Sequence, residues 1–436
     1  MKVRSLVSLL VLIGIMINFT GVSAQQRVNN TKDGPKPLRF DKQKFIDTIK
    51  GNRLGAASNL DGFAAVIIKD GNLVTEVAGG QAIRSGAGLE KVDMTTSIPA
   101  DVGSVFKFIS FVTLLSLFEK RAAMNPALTI DKQLDESIRP YLPEAWREFV
   151  DMPPDDKLEE SKATLRISKT TFRQLLSHKS GFRSVNNKSS PFNYIDLGIQ
   201  QHHIGVREYS NFNAAVLTYL WPRLVNPEKA KEFDKQLDKV AHNNHAVYGK
   251  LYGDFFENWM QQNVFNVIEG GSFRPSCDPA IDFPKRNPPV AFARYYSDPL
   301  SGAKPVFWSE KANNHGCHAQ GGYFISMRQL ATYMANFQKN KLVSAKVRSM
   351  MYDDSTATTR DARLGWNKTL ESAFITKYFD VNMIPTHGGS TTGYSGIVYL
   401  PGGYIAVGTM TGPGTSDAVR DLLKNGWAEA VRANFE

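Results

Sequence analysis

A serine and a lysine three positions apart, Ser104 and Lys107, stand at the start of an apolar stretch that runs to Lys120. The stretch predicts a buried helix, on which residues three apart share a face, so Lys107 Nζ can reach Ser104 Oγ. A serine hydroxyl becomes a good nucleophile when a base takes its proton, and a desolvated lysine can be that base. The N–H groups at the helix start would stabilise an oxyanion. The pair therefore predicts a serine nucleophile activated by a lysine.

The same four-residue pattern occurs a second time, at Ser301 and Lys304. Pro299 and Pro305 flank that copy and indicate a loop, so we interpret it as a chance occurrence. For the first copy, the alternative to a functional Lys107 is a lysine with a buried stem whose ammonium group simply reaches solvent. A functional Lys107 is favoured because an unpaired buried ammonium is costly.

Two later motifs could supply the remaining chemistry. Tyr209-Ser210-Asn211 offers a phenol that can share a proton with Lys107 and an amide that can orient a carbonyl. His387-Gly388-Gly389-Ser390 offers an imidazole for proton transfer or carboxylate binding, followed by glycines that allow a close backbone approach. Alone, each motif is better explained as structural, with a half-buried tyrosine and a surface histidine. Residues 175–182, Leu-Leu-Ser-His-Lys-Ser-Gly-Phe, join a helix end to a glycine turn and are interpreted as structural.

The apolar periodicity predicts an α+β fold with strands near both ends of the chain. Residues 63–78 alternate around Asp70-Gly71, a pair typical of a hairpin turn, and residues 396–410 form a second hairpin. Terminal helices are predicted over 40–54 and 417–434. The middle is mainly helical, at 138–149, 170–177, 212–224, 255–268 and 327–338, with an extended proline-rich loop over 275–305.

We therefore expect a split α+β domain, with strands and a helix near both ends of the chain, and an inserted, largely helical domain. The sheet domain would comprise residues 41–110 and 340–436, and the helical domain with its long loops residues 111–339. A crevice between two such domains is a usual place for an active site.

The first 24 residues have the pattern of a signal peptide. Lys2 and Arg4 precede an apolar run over residues 6–19, and Val22-Ser23-Ala24 offers a cleavage site. An uncleaved anchor is the alternative, but the run is short for a membrane span. We expect cleavage, a flexible mature N-terminus over 25–40, no stable membrane span afterwards, and a periplasmic or extracellular location.

Composition excludes several function classes. Apolar residues make up 42% and charged residues 22%, as in a soluble globular protein and unlike a disordered or membrane-embedded one. The formal net charge of +10 falls by two when the signal peptide is removed. Because the basic residues are scattered, no nucleic-acid surface is expected. A basic protein can associate with polyanionic surfaces such as a cell envelope, and a solvated basic surface is the simpler alternative.

The chain has two cysteines, Cys277 and Cys317. An even number in an exported protein suggests a disulfide, here closing a loop of about 40 residues. The run from His315 to His318 contains three potential metal ligands without a fourth, so no metal is expected.

The order of these motifs resembles the serine β-lactamase and penicillin-binding-protein superfamily, in its class C β-lactamase-like branch with DD-carboxypeptidases, D-aminopeptidases and esterases. The resemblance covers about residues 60–430. It implies an antiparallel sheet flanked by the N- and C-terminal helices, a helical domain from the middle of the chain, and an active site between the two. It includes the first hairpin, the Ser104 helix and the Tyr209 and His387 motifs. It further includes the segments 134–143, 175–182, 321–326 and 364–366.

The resemblance implies Ser104 as the acyl-enzyme nucleophile, Lys107 as its activating partner, and Tyr209 as general base and acid. Asn211 would place the substrate carbonyl, and the backbone N–H groups of Ser104 and Ser390 would form the oxyanion hole. His387 and Gly389 would contact substrate. His387 stands where many members have lysine, so an efficient β-lactamase is not expected.

The sequence therefore predicts an exported serine hydrolase that forms an acyl-enzyme on a small ester, amide or D-amino-acid peptide, without a metal or organic cofactor. Cell-wall material is a candidate partner. Two alternatives stay open: a transpeptidase that shares the acyl-enzyme and differs in its acceptor, and a non-catalytic binding or assembly module of the envelope on the same fold.

Overall fold

A computed structural model describes most of the chain between residues 38 and 435. The described residues are 38–51, 61–85, 89–151, 164–165, 170–182, 199–200, 203–241, 244–268, 273–296, 318–352, 364–370, 373–379, 381, 383–391 and 393–435. The signal-peptide segment 1–24, the N-terminal residues 25–37, the second serine–lysine pair at 301–304 and Cys317 lie outside the described residues.

The long strands lie near both ends of the described chain, and most helices lie between them. The strands are β1 Phe63–Lys69, β2 Asn72–Gly79, β3 Gln81–Ile83, β4 Val92–Asp93, β5 Ala100–Asp101, β6 Thr164–Leu165, β7 Ile199–Gln200, β8 Phe324–Ile325, β9 Asn367–Leu370, β10 Met383–Ser390, β11 Tyr394–Leu400 and β12 Tyr404–Met410. The helices are α1 Lys42–Gly51, α2 Val105–Met124, α3 Ile130–Leu134, α4 Glu144–Asp151, α5 Phe172–Leu176, α6 Phe212–Val225, α7 Pro227–Leu237, α8 His245–Met260, α9 Pro279–Asp282, α10 Met327–Gln338, α11 Ala345–Tyr352, α12 Ala373–Phe379 and α13 Ser416–Val431.

Six antiparallel strands form the central sheet, in the order β2-β1-β12-β11-β10-β9. Strand β1 is apolar on both faces because both faces of the sheet are covered. Val66 faces a core shared with α2 and α10, and Ile67 faces a second core shared with α1, α12 and α13. The predicted turn is present, since Asp70 (φ 48°) and Gly71 (φ 75°) both adopt the left-handed conformation of a primed hairpin turn.

Two predicted helices have different bounds in the structure. The helix predicted from residue 138 begins at Glu144, after a short 3₁₀ turn over Arg139–Tyr141, because prolines at 140 and 143 interrupt the pattern. The helix predicted over 255–268 begins at His245, where the Asn244 side chain accepts a hydrogen bond from Val247 N, and it ends at Met260. Glycines at positions 249 and 253, which are poor helix formers, interrupt the first half of this helix and hid its start.

Strands β9 and β10 are additions to the prediction. The hairpin predicted over 396–410 leaves His387 outside any strand, whereas His387 lies inside β10, opposite Ile397 of β11. Pro385 and two glycines give β10 the composition of a loop. The strand nevertheless forms because both of its neighbours supply an antiparallel register.

Helix α2 connects the sheet to the helical part of the chain. It contacts β10, β11, α3 and α6, and its side chains from Val105 to Leu115 are buried. Among the described residues, no helix combines the length and apolar character needed to cross a membrane. Nor does this part of the chain bring together three His, Cys, Asp or Glu side chains in a cluster suited to a metal ion.

Candidate active site

Ser104 is the residue immediately before α2. Its backbone is already helical (φ −65°, ψ −10°), yet its side chain makes no capping hydrogen bond. Ser104 Oγ lies instead 2.8 Å from Lys107 Nζ. The half-buried hydroxyl therefore faces the lysine, as the three-residue spacing predicts.

Lys107 is an almost completely buried lysine, 1% exposed. Its Nζ also lies 2.7 Å from the Gln320 carbonyl oxygen and 5.3 Å from the centre of the Tyr209 ring. The segment that carries this carbonyl is fixed, because Ala319 accepts a hydrogen bond from Ser110. Burial lowers the pKa of Lys107, and the neighbouring Tyr209 opposes that shift. A lysine held in this way has a larger neutral fraction at pH 7 and can act as a base.

Tyr209 and Asn211 lie just before α6. Tyr209 is half-buried, with Lys107 over its ring. Asn211 is the N-cap residue of α6 by position, but its side chain does not cap the helix. Its backbone oxygen accepts a hydrogen bond from Ala215 N at 3.0 Å, at the start of the helix. The Asn211 amide is thus not used by the helix, and the prediction that it orients a substrate carbonyl stays a prediction.

The end of β10 lies directly beside the turn that carries the nucleophile. Gly103 has φ +49°, and a Cβ there would come within 2.8 Å of Ser390 N. A Cβ on Gly389 would come within 2.0 Å of the Val102 carbonyl oxygen. Only glycine fits either position, and the space at Gly389 is filled by the protein's own backbone. Ser390 N therefore lies against Gly103, the residue just before Ser104, which is where a second N–H donor of an oxyanion hole would be needed.

Asp101 bridges the two sides of this junction. Its carboxylate accepts a hydrogen bond from Gly103 N at 2.8 Å and another from the Thr391 hydroxyl. Asp101 is 5% exposed, so both bonds form away from water. Next to it, the Ser395 hydroxyl donates to the Val102 carbonyl at 2.6 Å. These bonds fix the distance between the two candidate oxyanion donors.

Replacing Asp101 with alanine is expected to lower kcat by about 10²-fold, approaching the loss of one oxyanion donor, with little change in KM. Asparagine can still accept from Gly103 N and bond with Thr391, so Asp101→Asn should keep most activity. Thr391→Val, which removes one of the two bonds, should give an intermediate loss. Steady-state kinetics together with thermal unfolding would check this, and wild-type kcat in a folded Asp101→Ala protein would contradict it.

His387 is buried in β10 and 1% exposed. Burial and the nearby charge of Lys107 lower the pKa of His387 to about 3, against an opposing hydrogen bond to the Gly388 carbonyl. Its Nδ1 lies 3.0 Å from that carbonyl oxygen, which can only accept, so we assign the proton of the neutral ring to Nδ1. The lone pair of Nε2 can then accept a hydrogen bond or a proton. A neutral ring provides no charge for a carboxylate.

Two arginines add positive charge to the site and were not identified from the sequence. Arg207, two residues before Tyr209, donates to Asn367 Oδ1 of β9, and its charge further lowers the pKa of His387. Arg420 of α13 donates to the Thr386 hydroxyl of β10 at 3.4 Å. The only sequence signal for Arg207 was its position two residues before the tyrosine. Arg420 had no such signal, because long-range packing brings it to β10.

Cys277 is disulfide-bonded. Cys317, the chain's other cysteine, lies outside the described residues. Ser276 exchanges backbone hydrogen bonds of 2.7 and 3.3 Å with Phe324 of β8. Cys277 therefore lies next to β8, the strand that follows the Gln320 carbonyl bound by Lys107.

The chain has the fold of the serine β-lactamases and penicillin-binding proteins. FmtA from Staphylococcus aureus matches 93% of this chain and 92% of its own, with a TM-score of 0.54 and 13% identity. A class C β-lactamase from Rhodobacter sphaeroides matches 90% of this chain and 99% of its own (TM-score 0.55, 16% identity). A D-amino acid amidase from Ochrobactrum anthropi, solved with D-phenylalanine, matches 90% and 98% (TM-score 0.54, 15% identity).

These similarities confirm the resemblance inferred from the sequence and the predicted α+β fold class. No protein-family model matches the chain, and no curated protein sequence is significantly similar to it. Identities of 13–16% establish the fold alone. The chemistry has to be argued from the residues of this chain.

Proposed function

We propose that the protein is an exported serine hydrolase that forms an acyl-enzyme on Ser104. The observation that carries the proposal is the 2.8 Å contact between Ser104 Oγ and the buried Lys107 Nζ. A buried lysine without an ion pair is costly to maintain, and its lowered pKa is the property that a general base needs.

In the proposed reaction, Ser104 Oγ attacks a carbonyl carbon while its proton passes to the neutral amine of Lys107. The Tyr209 hydroxyl can then give its own proton to the leaving group and take the proton of Lys107 in exchange. The oxyanion is stabilised by the N–H groups of Ser104 and Ser390. The C–N or C–O bond then breaks, and the departing amine or alcohol takes the proton. Water attacks the ester on Ser104 with the same groups acting in reverse, which releases the acid and restores the serine.

The proposed substrates are small esters, amides or D-amino-acid peptides. The neutral His387 supports this class over β-lactams, because a neutral ring holds the β-lactam carboxylate weakly. The D-amino acid amidase of the same fold, solved with D-phenylalanine, supports a D-amino-acid substrate. Export to the periplasm or the extracellular space follows from the N-terminal pattern and is part of the proposal.

Incubation with a fluorophosphonate tests the proposal, because the reagent forms an O–P bond with an activated serine and releases fluoride. We expect intact-protein mass to increase by one adduct in the wild type and not in Ser104→Ala. Ser301→Ala, in the second serine–lysine pair, is the matched control and should label fully. A folded wild type without an adduct would contradict the proposal.

Penicillin in a parallel incubation tests the substrate class. A penicillin adduct on Ser104 would point to D-Ala-D-Ala-type substrates. Fluorophosphonate labelling without penicillin labelling would instead favour an esterase or amidase.

A further inference from the structure

His178 is a buried histidine that the proposed reaction does not use. It is 4% exposed, and its ring packs against the Tyr209 ring in a tilted contact, at 4.7 Å between centroids and 30° between planes. Phe111 of α2 meets it edge-on at 6.1 Å. Its backbone is left-handed (φ 55°), which is uncommon outside glycine. The ring therefore lies between the nucleophile helix and the candidate acid–base tyrosine.

Hydrogen bonds define which nitrogen of His178 carries the proton. Ser180 Oγ receives a hydrogen bond from Phe182 N and donates its own proton to Asn213 Oδ1. That bond orients the Asn213 amide, so its Nδ2 donates to His178 Nδ1 at 3.0 Å. Ser210 N also points at Nδ1, at 3.4 Å. Nδ1 faces only donors, and the proton of the ring lies on Nε2.

The same bonds connect His178 to both sides of Tyr209. Glu208 N donates to the His178 carbonyl at 2.9 Å, and Ser210 N approaches the His178 ring. Asn213 lies in the first turn of α6, is completely buried, and completes the connection. The tyrosine is thus held through its ring face and through the backbone before and after it.

The charged groups that act on the His178 ring are basic. Arg207, Lys107 and His387 face it, and together with burial they keep the pKa of His178 well below its usual value. A protonated His178 would add a second cation beside Lys107.

We propose that His178 is a positioning residue, held as the neutral Nε2–H tautomer by Asn213 and Ser180, which fixes the Tyr209 ring against Lys107. This inference rests on the proposed function, in which Tyr209 exchanges a proton with the nucleophile. The segment 175–182, interpreted from the sequence as structural, thereby acquires a role in the reaction.

His178→Asn tests the ring contact, because asparagine tolerates the left-handed backbone and removes the ring. The rate constant of fluorophosphonate labelling at saturation should fall by about 10²-fold, as expected for misplaced catalytic groups, with the apparent affinity unchanged. Ser180→Ala, which leaves Asn213 unanchored, should show a smaller loss in the same parameter. Circular dichroism and thermal unfolding would establish that both variants fold.

Asn213→Asp tests the tautomer and gives a readout that loss of stability alone would not produce. A carboxylate cannot donate to Nδ1 and favours a protonated one. We therefore expect a new ionisation in the pH profile of labelling, between about pH 5 and 8. The ¹⁵N resonance of His178 Nδ1 should change from the unprotonated to the protonated range. Asn336→Asp, at another buried asparagine bonded within its own helix α10, is the matched control and should leave both readouts unchanged.

Labelling by His178→Asn at the wild-type rate, or an unshifted pH profile in Asn213→Asp, would overturn the inference while leaving the proposed function intact. A protonated Nδ1 in the wild-type protein would overturn it as well. A wild type that takes no label would refute the proposed function, and the positioning role with it.

Discussion

Replacing Lys107 with methionine is expected to lower the rate of fluorophosphonate labelling of Ser104 by about 10²- to 10⁴-fold, the contribution of a positioned general base. Methionine keeps the chain length and the apolar packing of lysine but cannot take the Ser104 proton. The Gln320 carbonyl loses a hydrogen bond, at a cost of about 1 kcal/mol, so the variant should remain folded.

Two further variants test whether the effect comes from loss of the base, from loss of the positive charge, or from removing any lysine of this helix. Lys107→Arg keeps a positive charge but stays protonated, so it should be as slow as Lys107→Met. Lys120→Met, at an exposed position near the end of the same helix α2, is the matched control and should label at the wild-type rate. An active Lys107→Met protein would move the role of base to another group, with Tyr209 as the first candidate.

The pH dependence of labelling has a defined direction. A base must be neutral to act, so the wild-type rate should rise with pH as Lys107 loses its proton. Because burial lowers the pKa of Lys107, the midpoint of the rise should lie below the usual lysine value of 10.5. In Lys107→Met the same rise should be absent.

The second large effect concerns stability in acid. The pKa of His387 is about 3 in the folded protein and about 6.5 when unfolded, so the unfolded chain binds more protons between these values. Stability contributed by the neutral ring is complete above pH 6.5 and is lost as pH falls toward 3. By linkage this one residue should cost the wild type about 3 kcal/mol between pH 7 and pH 4.

Urea unfolding of the wild type and His387→Gln at several pH values measures this term. Glutamine does not titrate, so the difference in unfolding free energy between the two proteins should change by that amount over the same interval. Carboxylates and His178 contribute to both proteins and cancel in the difference. Parallel curves for the two proteins would show that His387 is not buried in its neutral form.

The local parts of the site could be predicted from the sequence. Ser104 and Lys107 need only the helical spacing of one segment, and the first hairpin needs only Asp70-Gly71 and the apolar strands beside it. Strand β10 could not be predicted in this way, because Pro385 and its glycines have loop composition and only the pairing with β9 and β11 makes them a strand.

The supporting residues depend on contacts between distant segments. Asp101 is bonded to Thr391, 290 positions later in the chain, and neither residue belongs to a recognisable sequence motif. His178 lies in a recognised run, but its contact with Tyr209 requires the fold to bring residues 178 and 209 together. Sequence patterns thus identified the candidate reacting groups, whereas the residues that hold them were found only in three dimensions.

The pairing of β1 with β12 has a consequence for how the protein matures. During synthesis, Ser104 and Lys107 emerge long before β10, β11 and β12, and the sheet cannot close until these last strands arrive. Joining such distant segments is slow, because the chain must first lose the freedom of a very long loop. The nascent chain therefore carries Ser104 without the Ser390 N–H proposed as an oxyanion donor, and a chain ending before residue 383 would lack that group permanently.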